Sequence, residues 1–160
     1  MNVLLSLVLS FFFTLTQDFS DVREQYHAAS KSKTAAEKFY DKWHTYNKEN
    51  KTLLAYKGAA LALKSKFATD KKIRKELFVE GVRLLESCVK KEPNNAEIRL
   101  IRLSIQENTP KFLKYKANIE EDKKKIMVSF DRESKDLQEY IKLYVKQSKV
   151  FTESEKQKLK

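Results

Sequence analysis

Only four residues in this chain of 160 are strong helix breakers, Gly58, Gly81, Pro93 and Pro110. No Asn-Gly or Asp-Gly pair is present to turn a tight β-hairpin. Lys, Glu, Leu and Ala, which lose little on entering a helix, fill much of the remainder. The chain is long enough for one domain with a real core, and 41% of it is hydrophobic, which excludes general disorder. An all-α protein follows.

Periodicity places about seven helices. Asp21-Val-Arg-Glu24 and Thr34-Ala-Ala-Glu37 have the capping-box pattern and predict helices over about 20–30 and 34–48. A third, about 51–67, is apolar almost all round and should be buried on several sides. Its Gly58-Ala59-Ala60 patch costs about 1 kcal/mol at the glycine, for which close approach of a neighbouring helix would compensate. A fourth, about 72–91, sets Ile73, Leu77, Val82, Leu84, Leu85, Cys88 and Val89 at core spacings, with Asp70 as candidate cap. Pro93-Asn-Asn95 stops it, and a fifth runs over about 95–107. Phe112, Leu113 and Tyr115 are expected to pack from a short turn. The sixth, about 117–129, carries Glu120-Glu121-Asp122 at its start, which suits the helix dipole. Leu137, Tyr140, Ile141, Tyr144 and Val145 define the seventh, about 134–148, and residues 151–160 read as a short tail.

The N-terminus reads as an address. Val3 to Leu15 is apolar apart from Ser6, Ser10 and Thr14, short for a membrane span and the right length for a signal-peptide core. Residues 1–16 are therefore assigned as a signal peptide and 17–150 as the helical domain. The n-region lacks Lys and Arg, so an uncleaved anchor and an N-terminal core helix stay as alternatives. No cysteine follows the apolar run, which excludes a lipoprotein anchor.

Net charge is +11, from 27 lysines and 6 arginines against 22 acids. A basic surface suits an acidic partner. Nucleic acid is disfavoured, because arginine is the residue that reads bases and clamps phosphates. A solvated lysine-rich surface is the plainer reading. Binding to an anionic polymer or to membrane head groups is the functional alternative, and membrane contact would come only from that surface or an uncleaved N-terminus.

Catalytic chemistry is not announced. Cys88 is the lone cysteine; with His44 it could form a nucleophile pair, but it sits on the inward face of its helix, where a small core residue is the plainer reading. His27 and His44 lack ligand spacing, and no phosphate loop or nucleophile elbow occurs. No catalytic residue, metal or cofactor is therefore assigned. Arg99 and Arg102, with Gln106 one turn on, form a polar stripe on an otherwise apolar helix. Two readings stay open: an internal ion pair with acids such as Glu120 or Glu121, or a stripe that clamps a peptide carboxylate, flanked by Tyr56 and Lys57.

Gly81, Leu85, Cys88 and Pro93 have the small–large–small–proline order and intervals of the second helix of a tetratricopeptide repeat, and the segment resembles that family. Asn94-Asn95-Ala96-Glu97 is similar to the link into a next repeat, and Leu54 and Gly58 to first-helix positions. The resemblance implies antiparallel helical hairpins in a degenerate right-handed superhelix, and a scaffold that binds a protein or peptide. The family's interval is not kept, since 23 residues separate Gly58 from Gly81, and no second copy is legible. Leu-Ala-Tyr56-Lys-Gly58-Ala-Ala, Pro93-Asn-Asn-Ala-Glu-Ile-Arg99-Leu-Ile-Arg102 and Asn118-Ile-Glu-Glu-Asp122-Lys further resemble small exported proteins of Bacteroidota. The run Phe11-Phe12-Phe13 ending in Thr-Gln is similar to signal peptides of that group. These resemblances imply the periplasm or cell envelope of a Gram-negative bacterium and transfer no activity.

Overall fold

A computed structural model describes residues 18–159. The predicted signal peptide lies outside the described residues. The protein is all-α: α1 (Ser20–Lys31), α2 (Lys33–Trp43), α3 (Lys51–Phe67), α4 (Lys71–Lys91), α5 (Ala96–Asn108), α6 (Ile119–Ser129), α7 (Lys135–Gln147) and α8 (Glu153–Lys158). Single 3₁₀ turns at Lys111–Leu113 and Phe130–Arg132 lie before and after α6.

Short polar side chains start most helices by accepting an otherwise orphaned backbone N–H. Ser32 serves α2, Asn50 α3, Asp70 α4, Asn95 α5 and Ser134 α7. Neither capping box expected near the N-terminus forms. Phe19 occupies the cap of α1 without a side-chain bond, and Ser32 takes the place of Thr34. The reciprocal box occurs instead at Thr152 and Glu155, ahead of α8. Helix α2 also stops at Trp43, short of the expected 48, and Tyr46 closes a turn onto the Trp43 carbonyl.

α3 and α4 pair antiparallel through a connection of only residues 68–70, and Gly58 and Gly81 face each other at their crossing. A Cβ on Gly81 would stand 2.6 Å from the Gly58 carbonyl oxygen and 2.9 Å from the Ala62 nitrogen. The small-residue patch thus does what its helix-propensity cost implied. The first turns of α4 depart from expectation: Lys71 to Glu76 are all exposed, and Ile73 is 51% exposed.

α5 is the centre of the molecule. Every residue from Ala96 to Gln106 is buried. At 3.6 residues per turn its side chains divide into four stripes about a quarter-turn apart. Ile98, Ile101 and Ile105 face a first core with Val22, Tyr26, Phe39, Tyr56, Ala59 and Leu85. On the opposite side Ala96, Leu100 and Leu103 face a second core with Ile126, Phe130, Leu137, Ile141 and Val145. Arg99, Arg102 and Gln106 form a third stripe toward α6, and Glu97 and Ser104 a fourth toward α1.

Contacts along these stripes fix direction. Arg23 meets Glu97 and Tyr26 meets Ser104, so α1 runs parallel to α5. Arg23 also lies over the Tyr140 ring, while Tyr144 bonds Glu107, so α7 runs the same way. The tail joins the second core: Phe151 and Leu159 are each 4% exposed, and Lys123 pairs with Glu155 at 3.1 Å.

Cys88 is 1% exposed in the first core, and burial raises its thiol pKa to about 11. His44 Nδ1 donates to the Tyr40 carbonyl at 2.9 Å, and its ring stacks on the Tyr40 ring. The raised thiol pKa favours the fold below the unfolded value of 9.0, a contribution lost as pH rises through about 11. A small alkylating reagent at neutral pH should therefore label Cys88 only after the chain is unfolded. Labelling of native protein at the rate of a free thiol would contradict this burial.

Candidate functional site

Two buried polar networks and one groove lie against α5. The first network centres on Asp122, which is fully buried. Its Oδ1 accepts from Arg99 Nη1 at 2.9 Å and Arg102 Nη2 at 2.7 Å. Its Oδ2 accepts from Arg102 Nε at 2.8 Å and Gln106 Nε2 at 3.0 Å. Arg99 also reaches Glu121 Oε1 at 2.7 Å and the Pro93 carbonyl at 2.9 Å. Arg102 reaches Glu86 Oε2 at 2.8 Å, and Tyr115 donates to the other oxygen of Glu86. Gln106 Oε1 accepts from the Asn118 backbone at the start of α6. Burial alone would lower the pKa of Arg102, but Asp122 and then Glu86 more than offset it and leave it raised. The hydrogen bond from Arg99 holds the Glu121 carboxyl below its usual range.

Arg99 and Arg102 are each 3% exposed, with internal carboxylates on both. Of the two readings open for the stripe, the geometry is that of an internal ion-pair cluster. Its main acceptor is Asp122, one residue beyond the Glu121 named among the expected partners. Glu120 pairs with Lys123 instead. Nor do Tyr56 and Lys57 flank the stripe. Tyr56 is buried on the other side of α5, and Lys57 Nζ donates to the Tyr46 carbonyl at 3.1 Å.

The second network holds Glu97. Arg23 clamps it bidentately, Nε to Oε1 and Nη2 to Oε2, both at 2.8 Å. Tyr56 donates to Oε1 at 2.7 Å, and burial followed by the Glu97 charge pushes the Tyr56 phenol well above its usual pKa. Tyr26 and Ser104 share a hydrogen bond of 2.5 Å beside it, and burial lifts the Tyr26 pKa to about 12. No spacing announces this site, since Glu97 is 74 residues from Arg23 and 41 from Tyr56.

The groove opens over this second network. Arg23, Tyr26, Ser104 and Tyr140 contribute to its lining, and it runs among α1, the end of α3, the start of α4, the end of α5, the Lys111–Leu113 turn and α7. Its volume is about 1380 Å³. Six large hydrophobic side chains are markedly exposed among the described residues, and four of them line it: Val79, Phe112 (80%), Leu113 and Leu143 (64%). Phe112 and Leu113 therefore do not pack into the core as predicted. Of that trio only Tyr115 does, edge-on to Phe78. Exposed apolar side chains scattered singly need no explanation, whereas a cluster on one concavity marks a binding surface.

Among the described residues no group of His, Cys, Asp and Glu is placed to hold a metal ion, and no helix is long and apolar enough to cross a membrane. No protein-family model, no curated protein and no solved structure matches the chain.

Proposed function

We propose that this protein is an exported, non-catalytic helical scaffold that holds a protein or peptide partner in the cell envelope of a Gram-negative bacterium. The single observation that carries the reading is the groove, with four of the six exposed large hydrophobics lining it. The volume exceeds the ~300–1,000 Å³ usual for small-molecule sites, which favours a polypeptide segment as occupant. Two features of the sequence support it. The Gly81–Pro93 order resembles that of tetratricopeptide repeats, which bind polypeptides, and the apolar run Val3 to Leu15 favours export. We assign the binding surface to the groove and not to Arg99, Arg102 and Gln106, which are buried and bonded to Asp122.

A photo-crosslinking residue at Leu143, inside the groove, tests this in living cells against one at Val128, which is 67% exposed on α6 and outside the groove. A discrete adduct from position 143 and none from 128 is expected. Equal crosslinking at both positions, or none at either, would remove the groove as the binding surface.

A further inference from the structure

The groove carries a charge pattern in addition to its apolar lining. Because α1, α5 and α7 run in parallel, the ends of all three reach the same end of the groove, where α4 begins. There Lys31, Lys66, Lys71, Lys75 and Lys149 line the groove, and all five are exposed. Lysine at helix C-termini complements the backbone dipole, which accounts for some of this enrichment. Yet none of the five forms an ion pair among the described residues, whereas the buried Lys123 has two carboxylate partners. The acids of the lining are Glu24, Asp136 and Glu139 at the far end, with Glu139 paired with Lys142, and Glu107 at the lysine end, whose carboxylate is engaged by Tyr144, Ser148 and the Lys149 backbone. The apolar residues Val79, Phe112, Leu113 and Leu143 are exposed along the same groove.

We propose that the groove's occupant is an amphipathic helix of another protein, with an apolar stripe seated on Val79, Phe112, Leu113 and Leu143 and a run of acidic residues against the lysine end. This rests on the groove being the partner site. Helix-in-groove recognition needs an apolar concavity wide enough for a helix, and charges on the rim select partner and direction. A second copy of this chain is a poor occupant, because each copy carries a net charge of +11 and like charges repel. A flat membrane surface is a poor match for apolar side chains that converge on a concavity.

The test uses synthetic fluorescent peptides of about 15 residues, long enough to span ~22 Å as a helix. One carries apolar residues at i, i+3, i+4 and i+7 with glutamates on one flank; its twin carries lysines in place of the glutamates. Anisotropy with the full chain should show the acidic peptide bound at least about tenfold more tightly than its twin. Leu143→Asp and the pair Lys71→Glu with Lys75→Glu should each weaken the acidic peptide by about tenfold or more, and the pair should improve the lysine twin. These positions are exposed, so the variants fold; Val128→Asp is the control that leaves binding unchanged. Equal binding of the two peptides, still weakened by Leu143→Asp, would overturn the acidic-partner inference and leave the groove as the partner site. Binding indifferent to Leu143→Asp would overturn both. Tighter retention on vesicles rich in phosphatidylglycerol than on the acidic peptide, lost in high salt, would overturn the inference in favour of a lipid surface.

Discussion

Asp122→Ala should lower the free energy of unfolding by about 3–5 kcal/mol, the range seen when one partner is removed from a buried ion pair. Asp122 accepts four hydrogen bonds from Arg99, Arg102 and Gln106. Without it two guanidinium groups stay buried, with only the half-exposed Glu121 and Glu86 to neutralise them. A desolvated charge that loses its counter-ion carries its full solvation penalty. Since a domain of this size is stable by only about 5–15 kcal/mol, the variant should sit near the edge of folding. Denaturant unfolding followed by circular dichroism measures the loss. The network also predicts non-additivity: Arg102→Met combined with Asp122→Ala should cost less than the sum of the two. A loss under about 1 kcal/mol for Asp122→Ala would mean that the cluster does not lock α6 to α5.

Gly81→Val should be the second severe change, and Gly81→Ala decides the mechanism. In an isolated helix alanine is favoured over glycine by about 1 kcal/mol. Here the new Cβ would meet backbone atoms, the Gly58 carbonyl oxygen at 2.6 Å and the Ala62 nitrogen at 2.9 Å. Backbone cannot rotate aside as a side chain can, so α3 and α4 must separate and disturb Leu85 and Leu61 around them. Overpacking of this kind costs about 1–3 kcal/mol, and the larger valine belongs at or beyond the top of that range. Gly81→Ala should therefore destabilise, against its helix propensity. A stabilised Gly81→Ala protein would show that the crossing is looser than the distances imply.

Helix content was legible because each helix carries its own signal. The stops at Pro93 and Pro110, the cap Asp70 and the stripe from Leu137 to Val145 act within a few residues. What one helix presents to another was less legible. Arg99 and Arg102 were conspicuous as cations on an apolar helix, but Glu97 on the same helix was not, because its partners Arg23 and Tyr56 come from α1 and α3. Asp122 looked like one more acid at a helix start; that it points inward while Glu120 points outward follows only from how α6 docks. The groove is a property of several elements together and has no local signature. A faint signal did exist. Leu143 lies off the 137–140–141–144–145 stripe of its helix, and Val79 falls outside the core positions of α4. Apolar residues away from the buried face of an amphipathic helix are candidates for an intermolecular surface.

The placement of the binding surface is tested most directly by mapping backbone amide shifts in the full chain as the acidic amphipathic peptide is added. Perturbations are expected around Lys31, Lys75, Val79, Phe112, Leu143 and Lys149, with the residues of the Asp122 cluster undisturbed. Perturbations centred on Arg99, Arg102 and Glu121, or spread along α2, would contradict a partner seated in the groove.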